Sequence, residues 1–435
     1  MEPLRIISVG LLATALAACA ATPNSTPSTQ PGQDLRPATS AVPSTLTDAV
    51  LHGLANNAGL LAARNRAEAA GELPAQARRL PNPKLMWTEF VEELQTRTGP
   101  HVRRLSLSQA LPWPGTLRAA GEAAEGMAAA AEGMALGSAA SARRAVEHAW
   151  IERAQLSTEL ALQEQQVALL HTLEPVVLTR IRAGSGQQAL LRLEVELARS
   201  EETLRRLRKA HLPLDAKLAT ALSMDELPST PPPLEAPTDL ELDADALGQL
   251  LREHSPRLIT LRAKVRAAQA KVRLADRKRK PMLGVGLDYL QVDDSIAGNP
   301  SGSGDDPIAL RLSMDLPVWR AADDAAERGA AHELRASHLE YEHAQRQLNA
   351  DLAAILFRAE NAESNRKLHR DVLLPRAEES LRLTLAAYRA GQASLTDLID
   401  AERLQLALAL THTRAVRDTH LAIADLRALL GEDLQ

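Results

Sequence analysis

The chain contains nearly the same hexapeptide twice, as LSQALP at residues 107–112 and as LSMDLP at residues 312–317. Each copy closes a stretch of alternating apolar and polar residues and is followed within two residues by a tryptophan. The same features surround both copies in the same order: a helical segment, a basic segment ending in proline, the alternating stretch and a long alanine-rich run. Because these features keep a spacing of roughly 200 residues, they indicate an internal duplication.

Two segments rich in proline, serine and threonine divide the 435 residues. The low hydrophobicity of the first segment, residues 22–43, predicts a disordered tether. The second segment, residues 228–237, cannot form a helix because its prolines have no backbone N–H groups. The predicted parts are a lipoprotein signal peptide at 1–18, a lipid-anchored tether at 19–43, a first repeat at 44–227, a linker at 228–238 and a second repeat at 239–433.

Three short segments have the period-two alternation of strands with one apolar face, and a fourth, LMWTEFV at 85–91, alternates poorly. The predicted strands lie at about residues 84–92, 102–111, 282–292 and 307–316. Two hairpins so far apart leave open sheet edges, which strands from other subunits would close. An apolar outer face and a polar inner face are typical of a transmembrane barrel. The alternative is a soluble four-stranded sheet packed on helices.

Most of the chain is predicted to be helix of unusual length. Residues 119–182 and 321–389 contain only Pro175 and Pro375 as breakers. A helix of about 65 residues is ~100 Å long, which no globular core needs. The unit Glu-Gly-Met recurs seven residues apart at 125–127 and 132–134, and such recurrence favours left-handed supercoiling. A long soluble coiled coil is the alternative.

Residues that carry catalysis are not found in a recognisable pattern. The sequence has no Walker loop, GxSxG, HExxH or CxxC motif, and its twelve histidines are scattered. We therefore predict no enzyme activity, no cofactor and no metal site. The net charge of −5 gives no overall bias toward nucleic acid. The basic run KVRLADRKRK at 271–280 fits contact with anionic head groups or a solvated helix end.

The single cysteine, Cys19, follows an apolar run at residues 6–18 that is too short to span a membrane as a helix. The stretch from Leu16 to Cys19 resembles the lipobox of bacterial lipoproteins. That resemblance implies that Cys19 becomes an acylated N-terminus carrying palmitate or similar chains. Ala20, in place of aspartate, implies sorting to the outer membrane.

The segment AYRAGQASLTDLIDA at 387–401 is similar to a signature of the TolC-like outer membrane factors, also called outer membrane efflux proteins. Together with the duplication, it gives a resemblance that covers residues from about 44 to 433. The SQALPWPG stretch is similar to branches of the family that serve heavy-metal cation pumps.

This resemblance implies a mainly α fold with a small β part. Long antiparallel coiled coils would form an α-barrel, and four strands per subunit would complete a trimeric 12-stranded transmembrane β-barrel. The implied function is the passive, gated exit duct of a tripartite efflux system for metal cations or drugs. The implied partners are two further copies of the chain, a periplasmic adaptor and an inner-membrane pump of the RND type, with the duct lying in the outer membrane.

The same resemblance implies roles for particular residues. Asp397 and Asp400 match aspartates that ring the periplasmic constriction, and Tyr388 matches a tyrosine that latches the closed tips. Leu190 and Ala393 stand where polar latch partners are expected, so Arg389, Arg192 or coiled-coil packing would have to serve instead. The predicted adaptor-contacting tips are Gly184, Ser185, Gly186, Gly391, Ser394 and Leu395.

Two other functions fit parts of the sequence. One is the outer membrane channel of type I protein secretion, which shares the architecture. The other is a periplasmic coiled-coil adaptor lipoprotein, although such adaptors lack duplicated strand pairs.

Overall fold

The computed structural model describes residues 43–182, 187–225, 242–296 and 300–431, with isolated positions between these ranges. The predicted signal peptide, Cys19 and the tether before Pro43 lie outside the described residues. So do the predicted tip residues Gly184, Ser185 and Gly186 and much of the predicted linker.

The order of elements in the first half recurs in the second. The first half contains α1 (Leu46–Asn56), α2 (Ala58–Gly71), α3 (Leu73–Arg78), β1 (Lys84–Thr96), β2 (Gly99–Leu111), α4 (Thr116–Arg182), α5 (Gln188–Lys209) and α6 (His211–Leu222). The second contains α7 (Ala244–His254), α8 (Pro256–Lys278), β3 (Met282–Val292), β4 (Ile308–Asp315), α9 (Arg320–Leu368), a π-helical turn (His369–Leu373), α10 (Leu374–Ala390) and α11 (Leu395–Leu430). The expected fold class, mainly helical with a small antiparallel sheet, is confirmed.

The two long helical runs extend along most of the molecule. Helix α4 has 67 residues and is therefore ~100 Å long. Its counterpart continues from α9 through the π-helical turn into α10. That wide turn directly precedes Pro375, whose missing N–H cannot bond to the carbonyl of Asp371. Among the described residues, no helix combines the length and apolar character that crossing a membrane requires.

The four strands form one antiparallel sheet in the order β1-β2-β3-β4, so the strands of the two halves meet at β2 and β3. One cross-strand row is apolar throughout, running Leu85–Leu107–Leu287–Leu310. The next row lies on the opposite face and includes Ser106 and Asp288. Asp288 accepts hydrogen bonds from Ser106 and Arg311. The sheet therefore has one apolar and one polar face.

Within the described residues, no helix packs on either face of this sheet. The apolar side chains are consequently exposed: Leu85 is 68%, Leu310 84% and Leu312 77% accessible. In the same part of the chain, neither edge strand, β1 or β4, has a partner on its outer side. A soluble sheet would bury its apolar face against a helix, so the soluble alternative does not describe this sheet.

The buried apolar residues lie in three helical clusters. The first cluster joins α7, α8, α9 and α11. The second surrounds the end of α10 and the start of α11. The third joins α1, α4 and α6. The central members are Leu247, Leu251, Leu258, Leu348, Leu352 and Leu426 in the first, Leu170, Leu173, Leu193, Tyr388 and Leu398 in the second, and Ala49, Val146, Trp150, Leu218 and Leu222 in the third.

Glycines bring α4 and α8 into close contact. A β-carbon added at Gly126 would lie 2.6 Å from the backbone nitrogen of Ala267, and one added at Gly133 would lie 2.9 Å from that of Thr260. Gly137 is different, because the nearest atom to its added β-carbon is 3.8 Å away, on Pro256. Two of these helix glycines therefore permit a backbone approach that a larger residue would block.

One buried acid joins helices from both halves of the molecule. Asp425 on α11 lies 2.6 Å from Nε of Arg144 and 2.9 Å from Nε2 of His148, both on α4. Arg358 on α9 lies 3.1 Å from its other oxygen. Burial alone would raise the pKa of Asp425, but the hydrogen bonds from His148 and Arg144 outweigh it and lower the pKa to about 2. We call this group the Asp425 cluster.

Candidate functional site

The turn between α10 and α11 contains most of the described site residues that the sequence predicts. Gly391 ends α10 with φ +85°, a left-handed conformation that suits glycine. Its N–H donates to the carbonyl of Tyr388, and the N–H of Gln392 donates to the carbonyl of Ala387 at 2.8 Å. Of the predicted adaptor contacts in this turn, Gly391 and Ser394 are exposed, whereas Leu395 is buried in the second apolar cluster.

Asp397 is part of a capping box that starts α11. The backbone N–H of Asp397 donates to the Ser394 hydroxyl at 3.2 Å, and the Asp397 carboxylate accepts from the Ser394 N–H at 3.0 Å. The Ser394 hydroxyl also lies 2.8 Å from this carboxylate. The Ser394 side-chain and backbone hydrogen bonds lower the pKa of Asp397, so this acid is held in its ionised form.

Asp400 lies one turn further along α11 and is exposed. It lines a groove between α5 and α11 that also contains Arg192, Glu196 and Arg403. Asp397 and Asp400 therefore present two carboxylates on neighbouring positions of one helix, close to its first turn.

Tyr388 is almost fully buried, with 2% of its surface accessible. The guanidinium carbon of Arg180, near the end of α4, lies 4.3 Å from the centre of its ring. This cation–π contact joins the first half to the second. Sequence reasoning did not identify Arg180, because nothing in the RIRAG motif at 180–184 shows which side chain reaches the other repeat.

Leu190 and Ala393 pack against the second apolar cluster. The positions where polar latch partners were expected are therefore part of an apolar core. The polar contacts between the repeats lie elsewhere: Arg192 donates to the Thr396 hydroxyl, and Nε of Arg403 donates to Glu196 at 2.9 Å. Of the two arginines proposed from sequence, Arg192 makes such a contact, while Arg389 is exposed.

A buried polar layer follows within two turns of the capping box. Glu402 on α11 is only 3% exposed and accepts a hydrogen bond from Gln166 on α4 at 3.2 Å. Gln163 donates to Gln166 at 3.0 Å and also to the carbonyl of Ser200 on α5. Burial raises the pKa of Glu402 to about 7, and the hydrogen bond from Gln166 opposes this rise only in part. We call these residues the Glu402 layer.

Metal ligation has no support in the described part of the chain, where no three histidine, cysteine, aspartate or glutamate side chains are grouped to hold an ion. The site consists of a turn, two exposed acids, a buried tyrosine under an arginine and a buried polar layer. The two exposed carboxylates can favour cations electrostatically.

An uncovered two-faced sheet attached to helices ~100 Å long defines a membrane-channel architecture. Residues 247–432 match the family model described as outer membrane efflux protein. The second half of the chain is therefore similar to the outer membrane efflux proteins. No curated protein sequence matches it.

Solved structures share the fold of nearly the whole chain. A membrane protein from Pseudomonas aeruginosa is 18% identical, with a TM-score of 0.74 and coverage of 90% of this chain and 91% of that chain. VceC, an outer membrane protein from Vibrio cholerae, is 17% identical, with a TM-score of 0.73 and coverage of 90% and 97%. The open state of the MtrE outer membrane channel of Neisseria gonorrhoeae is 19% identical, with a TM-score of 0.70 and coverage of 89% of both chains. These matches confirm the TolC-like channel fold expected from the sequence.

Proposed function

We propose that three copies of this chain form a gated duct that exports small solutes, metal cations or drugs, across the outer membrane. The observation that carries the proposal is the sheet with one exposed apolar face, one polar face and two open edges. Three such sheets joined edge to edge give a closed 12-stranded barrel. Its apolar faces would meet lipid, and polar groups such as Asp288 and Arg311 would face the lumen.

Reconstitution of the purified full-length protein tests this proposal. The detergent-extracted protein should have the mass of a trimer by light scattering and should produce discrete conductance steps in planar bilayers. A monomer that inserts without conductance would contradict the duct.

We further propose that the turn from Tyr388 to Asp400 forms the periplasmic gate. In a trimer, the two acids of each chain would gather six carboxylates around the axis, which would attract cations and hinder their passage. The contact of Arg180 with Tyr388 and that of Arg403 with Glu196 would hold each turn against the first repeat. The gate would open when these contacts separate.

Charge removal at the gate distinguishes pore electrostatics from helix capping. Asp400→Asn removes a carboxylate that makes no capping bond, and Asp397→Asn with it removes both charges. We expect the double variant to raise single-channel conductance and to weaken block by divalent cations. Ser394→Ala is the matched control, because it breaks the capping box and keeps both charges. If Ser394→Ala reproduced the effect, loss of the cap and not of charge would be responsible.

The assembly would be completed by a lipid and by protein partners. Acylation at Cys19 would anchor the N-terminus in the outer membrane, so Cys19→Ser should abolish incorporation of labelled palmitate. The adaptor would seat on the helix turns, at Gly184, Ser185 and Gly186 in the first repeat and at Gly391, Ser394 and Leu395 in the second. An RND-type pump would supply the solute. Cysteine cross-linking from position 394 to a co-expressed adaptor tests this seating, and absence of any adduct with a functional pump would exclude it.

A further inference from the structure

The two ends of the sheet differ sharply in charge. At the end where β1 joins β2 and β3 joins β4, the exposed ionised residues are mainly acids: Glu92, Asp293, Asp294, Asp305 and Asp306, with Arg97 as a cation. At the opposite end, where the strands meet the helices, exposed cations predominate. Five of them are Arg79 after α3, Arg277, Lys278 and Lys280 around the end of α8, and Arg320 at the start of α9. We call these five residues the basic belt.

The described part of the chain does not neutralise the cations of the basic belt. Neighbouring arginines do have acidic partners: Arg78 pairs with Glu125, Arg273 lies 2.8 Å from Glu122, and Arg279 lies 2.9 Å from Asp324. Among the described residues, no carboxylate lies within 4.0 Å of a belt side chain. Asp315 is nearby in sequence, but the strand alternation places it on the polar face of the sheet. Local ion pairing therefore does not explain the basic belt.

The basic belt also lies where the apolar face of the sheet stops. Leu316 is 63% exposed, Val318 67% and Trp319 82%, and Arg320 follows directly. A tryptophan between an apolar surface and cations matches the boundary between acyl chains and head groups, where an indole ring has one side in each. Arg277 lies against Gly115 in the turn from β2 to α4, so the basic belt extends under both hairpins.

We propose that the basic belt binds the phosphate groups of anionic phospholipids in the leaflet that faces the periplasm, with Trp319 at the level of the head groups. This inference rests on the proposed function, because it takes the apolar face of the sheet as the lipid-facing surface. Each Lys or Arg near an anionic membrane strengthens binding by about fivefold at low salt. Three cations would together give a preference of well over tenfold for anionic over zwitterionic lipid.

Native mass spectrometry of the full-length trimer in a neutral detergent tests the basic belt. Dioleoyl phosphatidylglycerol and dioleoyl phosphatidylcholine are added separately, and bound lipids are counted against concentration. We expect the phosphatidylglycerol to bind at least tenfold more tightly in 50 mM salt, with most of the preference lost in 500 mM salt. Inorganic phosphate alone should not compete at equal concentration, and equal competition would make the basic belt a simple anion site and overturn the proposal.

A charge-matched pair of variants locates the binding. The first triple variant combines Arg277→Gln, Lys278→Gln and Lys280→Gln. It should lower the ratio of phosphatidylglycerol affinity to phosphatidylcholine affinity at least tenfold. The control variant combines Arg64→Gln, Arg66→Gln and Lys264→Gln. It removes the same charge from exposed helix positions away from the sheet and should leave this affinity ratio unchanged. Trp319→Ala should weaken the binding of both lipids by the same factor. An equal response of the two triple variants would refute the basic belt.

The same samples separate this proposal from the duct itself. If the wild-type trimer conducts in planar bilayers but shows no preference for phosphatidylglycerol, the basic belt fails and the duct stands. If the protein forms no pore in either lipid, the proposed duct fails instead.

Discussion

The Asp425 cluster and the Glu402 layer both place a buried acid of α11 between the two repeats, but they differ in what surrounds it. Asp425 faces two arginines and a histidine and remains ionised, with a pKa of about 2. Glu402 receives only the amide of Gln166, and its pKa rises to about 7. The two acids lie ~35 Å apart along one helix. The repeats are therefore joined at Asp425 through charge pairs on the acid itself, whereas the contact of Glu402 is nearly neutral and the Arg403–Glu196 ion pair lies beside it.

The two contacts should therefore differ in the free energy that is needed to separate them. Separating the Asp425 cluster would leave a buried carboxylate without its cations, which costs several kcal/mol. Separating the Glu402 layer exposes a carboxyl group that can be neutral and an amide that water can satisfy. The Glu402 layer should therefore separate at a lower cost than the Asp425 cluster. The predictions below test this contrast in order of expected effect.

Gly126→Leu should have the largest effect, because it places a side chain where the backbone of Ala267 already lies. We expect a loss of more than about 3 kcal/mol in the free energy of unfolding, which thermal unfolding of the purified protein would report. Gly137→Ala is the control, since its β-carbon has room and alanine favours helix by about 1 kcal/mol. Equal stability of Gly126→Leu and the wild type would contradict the close contact between α4 and α8.

Asp425→Asn should cost roughly 2–3 kcal/mol near neutral pH, because a lowered pKa of a carboxyl group measures its stabilisation in the folded state. The folded pKa is about 2 and the model value is 3.8, so this contribution is present above pH 4 and is lost as pH falls toward 2. Thermal unfolding at pH 7 and pH 3 checks the sign. The deficit of the variant should shrink at the lower pH, and a constant deficit would assign it to packing.

Glu402→Gln should act in the opposite direction. The folded pKa of about 7 lies above the model value of 4.5, so Glu402 favours folding most below pH 4.5, and the advantage falls as pH rises to 7. Glutamine cannot ionise, so the variant should be more stable than the wild type at pH 8, by up to about 3 kcal/mol, and nearly equal to it at pH 4. Destabilisation at pH 8 would show that Glu402 needs its charge.

Arg180→Met should have the smallest effect, since a cation–π contact whose cation is partly open to solvent contributes about 0.5–1 kcal/mol. Such a loss corresponds to a two- to fivefold rise in the ratio of open to closed channels, measurable as open probability in planar bilayers. Arg182→Met removes a nearby exposed charge of the same helix and should leave this ratio unchanged. Similar behaviour of the two variants would exclude the contact with Tyr388 as a latch.

The elements of the fold could be predicted from sequence because their signals are local. Alternation in residues 308–316 predicts a strand with one apolar face, and the long stretches with a single proline predict the helices. The buried positions Leu348, Leu352 and Ile355 are spaced by four and three residues, as in a heptad repeat. The family resemblance rested on a compact motif at 387–401.

The contacts between the repeats could not be predicted in the same way. About 200 residues of chain separate Arg180 from Tyr388, and Gln166 from Glu402. The residues next to each of them in sequence are typical of solvated helices. These contacts form only because particular faces of the helices pack together, and a single sequence does not specify which faces do so. Leu190 and Ala393, where the family resemblance implies polar partners, pack against an apolar cluster. Arg192 and Arg403 make the polar contacts between the repeats, and of these two the sequence analysis named only Arg192.

The pairing of β2 with β3 bears on how such a chain could arise. In the proposed barrel, this junction inside one chain has the same form as the junction between neighbouring chains, since each joins the hairpin of one repeat to the hairpin of another. Six copies of a half-length ancestor could therefore have enclosed the same ring. Fusing the halves gave each its own mutational history, and an arginine in one could then evolve to stack on a tyrosine in the other.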